Sequence, residues 1–148
     1  MNRQDTLVAY AAMFSGFSPE ALADLDRLCA PEIVFRDPFH ALTGLEAMRR
    51  VFQGMFVLFE APSFAVHDLG LGSDHGFILW SFEGSVRTGR TLRFDGTTTL
   101  AFDGLGRVSR HIDHWDAASA VHARMPLLGS AIRLVNARIA AATRSALR

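Results

Sequence analysis

His111, Asp113 and Trp115 alternate along the β-prone run Val108–Trp115, so strand periodicity carries all three to one face, with Ser109, and sends Val108, Arg110, Ile112 and His114 to the other. A carboxylate beside an aromatic on the inner face of a sheet is costly unless paired. His111, two residues away on the same face, is the available partner. Together they can act as a base and its orienter, the equipment of proton transfer, or satisfy each other and a buried water as a purely structural pair. A register slip of one would bring His114 and Asp116 to that face instead. A second carboxylate, Asp37, precedes Pro38, which holds it extended at the end of the short run Ile33-Val34-Phe35. That position suits a base overhanging a cavity mouth, and equally a turn former whose side chain bonds nearby backbone amides.

Other chemistries find little support. His40, His111, Asp113 and His114 are suitable metal ligands, but they lack the helical His-x-x-x-His or paired-cysteine spacing of a zinc site, and no metal or other cofactor is expected. Gly70-Leu71-Gly72 and Gly104-Leu105-Gly106 sit in turns and open no helix, so they form no phosphate cradle. There is no Gly-x-Ser-x-Gly elbow for acyl transfer. Cys29 is the only cysteine, placed on the apolar side of a predicted helix as an inert buried thiol.

The elements that would position these groups are legible from periodicity. Leu7, Tyr10, Ala11 and Phe14 recur as the apolar stripe of a first helix over residues 5–15. Ser18-Pro19-Glu20 opens a second that ends near Pro31. Thr43 with Glu46 reads as a capping box for a third, whose apolar face is Leu45, Met48, Val51, Phe52, Met55, Phe56 and Phe59. From Ser63 the period changes to two, in four runs broken at residues 72–74, 88–90 and 103–106, which predicts antiparallel strands joined by tight turns. After Trp115 the chain returns to helix, interrupted near Pro126, with Leu128, Ile132, Val135, Ile139 and Ala142 on one stripe.

The 148 residues carry no formal net charge, so the field that draws nucleic acid or an anionic membrane is missing, and neither is expected as a partner. The basic last helix, with Arg124, Arg133, Arg138, Arg144 and Arg148, reads as a solvated face. The length suits one domain over residues 1–148, and the polar start without a long apolar run gives a cytoplasmic expectation.

Phe35-Arg36-Asp37-Pro38-Phe39 followed by Thr43-Gly44-Leu45-Glu46, then Phe102-Asp103-Gly104-Leu105-Gly106-Arg107-Val108, then Asp113-His114-Trp115-Asp116 leading into the last helices, resemble the nuclear transport factor 2-like superfamily. That group includes ketosteroid isomerase, scytalone dehydratase, limonene epoxide hydrolase and the SnoaL-type polyketide cyclases, and SnoaL-like proteins look nearest. The resemblance implies an α+β fold: a cone-shaped curved antiparallel sheet with three N-terminal helices and a C-terminal helix around one apolar pocket. It implies a homodimer through the outer sheet face and a small apolar ligand. Asp37 matches the isomerase's proton-shuttling aspartate, and Trp115 a tryptophan that faces its cavity. Thr98 stands where the isomerase carries a protonated acid, and Tyr10 lies about one turn early for its hydroxyl donor, so a literal steroid isomerase is not expected. The expected catalytic set is Asp37, His111 and Asp113. The expected ligand-lining set is Trp115, Thr98, Phe94, Trp80, Phe82, Met55, Phe14 and His40, around a roomy apolar interior. The activity would be a cofactor-free isomerisation, cyclisation, dehydration or hydrolysis, or else ligand binding or dimerisation without turnover.

Overall fold

A computed structural model of the protein describes residues 1–125 and 128–145. These fall into two compact units, Met1–Trp115 and Asp116–Arg148.

In the first unit, helix α1 (Arg3–Ser15) buries the predicted stripe of Leu7, Tyr10, Ala11 and Phe14. Its start is capped by Asn2, whose side chain accepts from the Asp5 amide at 2.8 Å. The second helical segment is shorter than expected: a 3-10 turn, Ala21–Asp24, runs into α2 (Leu25–Leu28), and strand β1 (Cys29–Arg36) begins at once. Cys29 is therefore buried as anticipated, but at the head of a strand, because its backbone pairs with Val108. Pro31 is tolerated there since the β1 ladder is interrupted between Cys29 and Val34.

β1 ends before Asp37, as the proline requires, and a short strand β2 (Ala41–Thr43) turns back along it. Helix α3 (Leu45–Leu58) follows, buries Met48 and Phe52, and packs Leu45, Val51, Met55 and Phe56 against the core. The expected capping box is absent. Thr43 is committed to the β1–β2 ladder, and the cap position falls to Gly44, at φ 107° and without a side-chain bond to the helix end. Only glycine adopts that backbone conformation without strain.

Strands β3 (Phe59–Leu71), β4 (His75–Val86), β5 (Thr91–Phe102) and β6 (Val108–Trp115) form the predicted antiparallel meander. The curved, unclosed sheet has the order β2-β1-β6-β5-β4-β3. It is mixed, because β1 lies parallel to β6. That pairing joins segments far apart in sequence and leaves no trace in local periodicity. The last strand presents His111, Asp113 and Trp115 inward, as alternation predicts. Val108 is also buried, at 0% exposure, because the β5–β6 register shifts between Ala101 and Phe102 and skips Ser109.

Where a roomy apolar interior is expected, the described residues of the first unit are packed. Phe14, Phe17, Phe52 and Phe64 meet largely edge to face at centroid separations of 5.1–6.1 Å. Phe14 and Phe64, with Ile78, Trp80, Thr98 and Asp113, border a void of about 10 Å³, at the lower limit for one water.

The second unit contains α4 (Ala117–Ala120), a 3-10 turn at His122–Arg124, and α5 (Leu128–Ser145). Asp116 caps α4 by accepting from the Ser119 amide at 3.0 Å. Pro126, the expected break, lies outside the described residues. Leu128, Val135 and Ile139 of the predicted stripe are exposed. Among the described residues no helix is long and apolar enough to cross a membrane.

Candidate functional site

Because β1 and β6 run parallel, their carboxyl ends lie side by side, with Arg36 opposite Ile112. The loop after β1 and the end of β6 thus share one open cleft of about 610 Å³, lined by Arg36, Asp37, Pro38, Phe39, His40, Ala41 and by Ile112 to Trp115. Trp115 stacks on Phe94 at 4.3 Å and meets Phe39 edge-on at 5.5 Å, which gives this cleft a flat aromatic wall.

Asp37 lines the cleft, but its carboxylate is already engaged. Oδ1 accepts from the amides of Phe39 (2.7 Å) and His40 (2.6 Å), and the His40 ring nitrogen stands 2.9 Å from Oδ2. The Asp37-Pro38 step is thus an Asx turn closed by a histidine.

Asp113 is placed differently. It lines both the cleft and the interior void, with 15% of its side chain exposed. Trp80 Nε1 donates to Thr98 Oγ1 at 2.8 Å, and the Thr98 hydroxyl donates to Asp113 Oδ1 at 2.5 Å. His111, 1% exposed, brings Nε2 to 2.9 Å from the same Oδ1, out of hydrogen-bond alignment. Both contacts fall on Oδ1, so Oδ2 accepts no hydrogen bond among the described residues. An indole N–H can only donate, which fixes the direction of the Trp80–Thr98–Asp113 line.

Behind His111 stands Tyr10, whose hydroxyl is 2.8 Å from Nδ1. Burial pushes its phenol well above the usual range, and Cys29 and Asp113 add to the effect. Burial likewise pushes the Cys29 thiol up to about 12, against a smaller lowering from its hydrogen bond with Tyr10. The residues around Asp113 therefore form one buried polar line within an aromatic core.

Of the other expected lining residues, Phe14, Trp80 and Thr98 border the void, and Trp115 and His40 border the cleft. Phe94 serves by stacking on Trp115. Phe82 and Met55 line neither space: Phe82 packs between Phe59, Phe64 and Phe94, and Met55 against the core. Tyr10 was not expected at the site. The available signal was that the chain's single tyrosine sits on a buried stripe, where its hydroxyl needs a partner.

The sequence profile of the SnoaL-like domain matches residues 10–111. No curated protein matches the chain. Solved structures of the same fold include an NTF2-like protein from Burkholderia thailandensis E264, at 17% identity and TM-score 0.71, covering 85% of this chain and 99% of that one. A candidate SnoaL-like polyketide cyclase from Jannaschia sp. CCS1 shares 13% identity at TM-score 0.69, covering 79% and 87%. AclR of Streptomyces galilaeus, a candidate hydroxylase, shares 15% identity at TM-score 0.65, covering 99% and 96%.

Proposed function

This chain belongs to the SnoaL-like domain family of the nuclear transport factor 2-like superfamily, and from that premise we propose that it binds a small, mostly apolar molecule at the cleft and moves a proton on it through Asp113. The observation that carries the reading is the position of Asp113, the one residue among those described that borders both the cleft and the interior void. Oδ1 is held by Thr98 and faced by His111, so Oδ2 is left to meet a ligand. A flat ring against Trp115 and Phe39 would bring an acidic C–H to Oδ2. The proton passes to the carboxylate while the C–H electron pair moves into an adjacent carbonyl, and returns at another carbon. Isomerisation uses the whole of this step. Aldol cyclisation uses its first half, after which the enolate carbon attacks a second carbonyl and the proton passes to the oxygen of that carbonyl. The fold relatives named for polyketide cyclisation and hydroxylation support a planar, ketone-bearing ligand. Asp37 serves in this reading as the organiser of the cleft loop, its carboxylate held by the loop itself.

Deuterium wash-in to β-tetralone, an apolar bicyclic ketone with acidic methylene protons, tests the proposal by NMR in deuterated buffer. Saturable wash-in above the buffer rate is expected, and Asp113→Asn should lower it by about a hundredfold or more, the usual share of a general base. Wash-in that Asp113→Asn leaves intact would remove Asp113 from the role.

The filled interior favours a second reading, an interaction module without turnover. The outer sheet face supports it, with Phe77 and Leu79 exposed at 44% and 45%. Under either reading this face would join a second copy.

A further inference from the structure

We propose that Tyr10 is a positioning residue for Asp113: its buried hydroxyl donates to His111 Nδ1 and fixes the imidazole as the tautomer whose Nε2–H faces Asp113 Oδ1. The inference rests on the reading of Asp113 as the proton-transfer group, and assigns to the first helix a part in that site.

The geometry leaves few alternatives. Tyr10 is fully buried and His111 nearly so, at 0% and 1% exposure. The His111 ring is walled by Phe14, Phe35 and Phe52 at centroid distances of 5.9, 5.0 and 5.9 Å, so water has little access to it. Tyr10 is the partner of Nδ1 among the described residues. A neutral imidazole carries one N–H. If that proton were on Nδ1, the ring would donate to Tyr10 and leave Nε2 a bare acceptor 2.9 Å from a carboxylate oxygen. Two acceptors facing each other in a dry interior are strongly disfavoured. With the proton on Nε2, the Tyr10 hydroxyl donates to the bare Nδ1, and the N–H edge of the ring, not a second acceptor, lies 2.9 Å from Oδ1, near though unaligned. A phenol that keeps its proton inside the fold is the donor this arrangement requires.

Two donor lines therefore converge on Asp113 Oδ1, one from Trp80 through Thr98 and one from Tyr10 through His111. The Nε2–Oδ1 contact is near but unaligned, as catalytic contacts commonly are before a ligand seats and tightens them. Tyr10 restricts the remaining motion to small displacements of a ring whose protonation pattern is already set.

The test reads the tautomer directly, without any ligand. Full-length protein labelled with ¹⁵N-histidine is examined by long-range ¹H–¹⁵N correlation at neutral pH, with His111→Gln assigning the signal among the six histidines. The expected result is a bare Nδ1 and a protonated Nε2 in the wild type. In Tyr10→Phe both nitrogens should move toward the averaged shifts of a mixed tautomer. A wild-type His111 protonated at Nδ1, or nitrogen shifts unmoved in a folded Tyr10→Phe, would overturn the proposal. Should Tyr10→Phe fail to fold, the wild-type spectrum decides, since donation by Tyr10 demands a bare Nδ1. A correct tautomer without β-tetralone wash-in would defeat the proton-transfer reading alone. With wash-in present, Tyr10→Phe should lower kcat between about tenfold and a hundredfold at nearly constant KM.

Discussion

Asp113 and Asp37 occupy neighbouring positions around one cleft, yet their environments divide their work. Asp37 gives its carboxylate to two loop amides and His40, whereas Asp113 is fixed at one oxygen and accepts no hydrogen bond at the other from the described residues. The same burial that shapes this network makes the fold sensitive to alkali. Cys29 is raised from 9.0 to about 12 in the folded chain, so its thiol remains neutral where the unfolded chain would ionise. The associated stability is complete below 9.0 and is lost as the pH rises from there toward 12. Tyr10, raised chiefly by burial, acts in the same direction above its own ordinary value. At about 1.4 kcal/mol per unit, the thiol contribution reaches about 4 kcal/mol at most. Urea midpoints across this range should fall in the wild type and fall less in Cys29→Ala. A wild-type midpoint flat over the range would contradict the buried, neutral thiol.

At the scale of elements, the β4–β5 pair places Trp80 opposite Gly96. A Cβ at Gly96 would stand 2.3 Å from the Trp80 ring, so the indole lies directly across the glycine. Only this missing side chain lets the ring lie flat on the neighbouring strand and bring Nε1 to Thr98, two residues further along β5. Gly96→Ala should therefore cost roughly 1–3 kcal/mol through overpacking, measured by urea unfolding. It should also change the emission of Trp80, with Trp80→Phe separating its signal from that of Trp115. An unchanged midpoint and spectrum would show that the strands can part without cost. The α2–α3 junction uses a different device: Arg49, 13% exposed, spans Asp26, Glu46 and the Leu22 carbonyl.

For the molecule as a whole, the outer sheet face is the surface on which self-association would act. Phe77 and Leu79 project from β4, and their rows continue through Thr99 to Ile112 and through Thr97 to His114. A charge placed in such a patch opposes burial against a second copy. Wild-type protein should sediment as a dimer and Leu79→Glu as a monomer, with the far-ultraviolet circular dichroism unchanged. A wild-type monomer at high concentration would defeat the proposed association.

The order of the elements, the turns of the meander and the inward face of β6 followed from the sequence alone, because periodicity and turn chemistry are local and repeat along the chain. Spacing alone therefore places His111, Asp113 and Trp115 on one face of β6. Spacing says which face a residue occupies, not what stands opposite it. The parallel β1–β6 pair, the Gly44 cap and the Ser109 bulge depend on ladders formed with distant strands. Whether the inward phenylalanines enclosed a cavity or filled it was decided by how rings from α1, α3 and the sheet interlock, a property of side-chain packing in three dimensions. The contact between Tyr10 and His111 spans 101 positions of sequence. No local pattern carries that distance, and only the closing of α1 over the sheet brings hydroxyl and imidazole together.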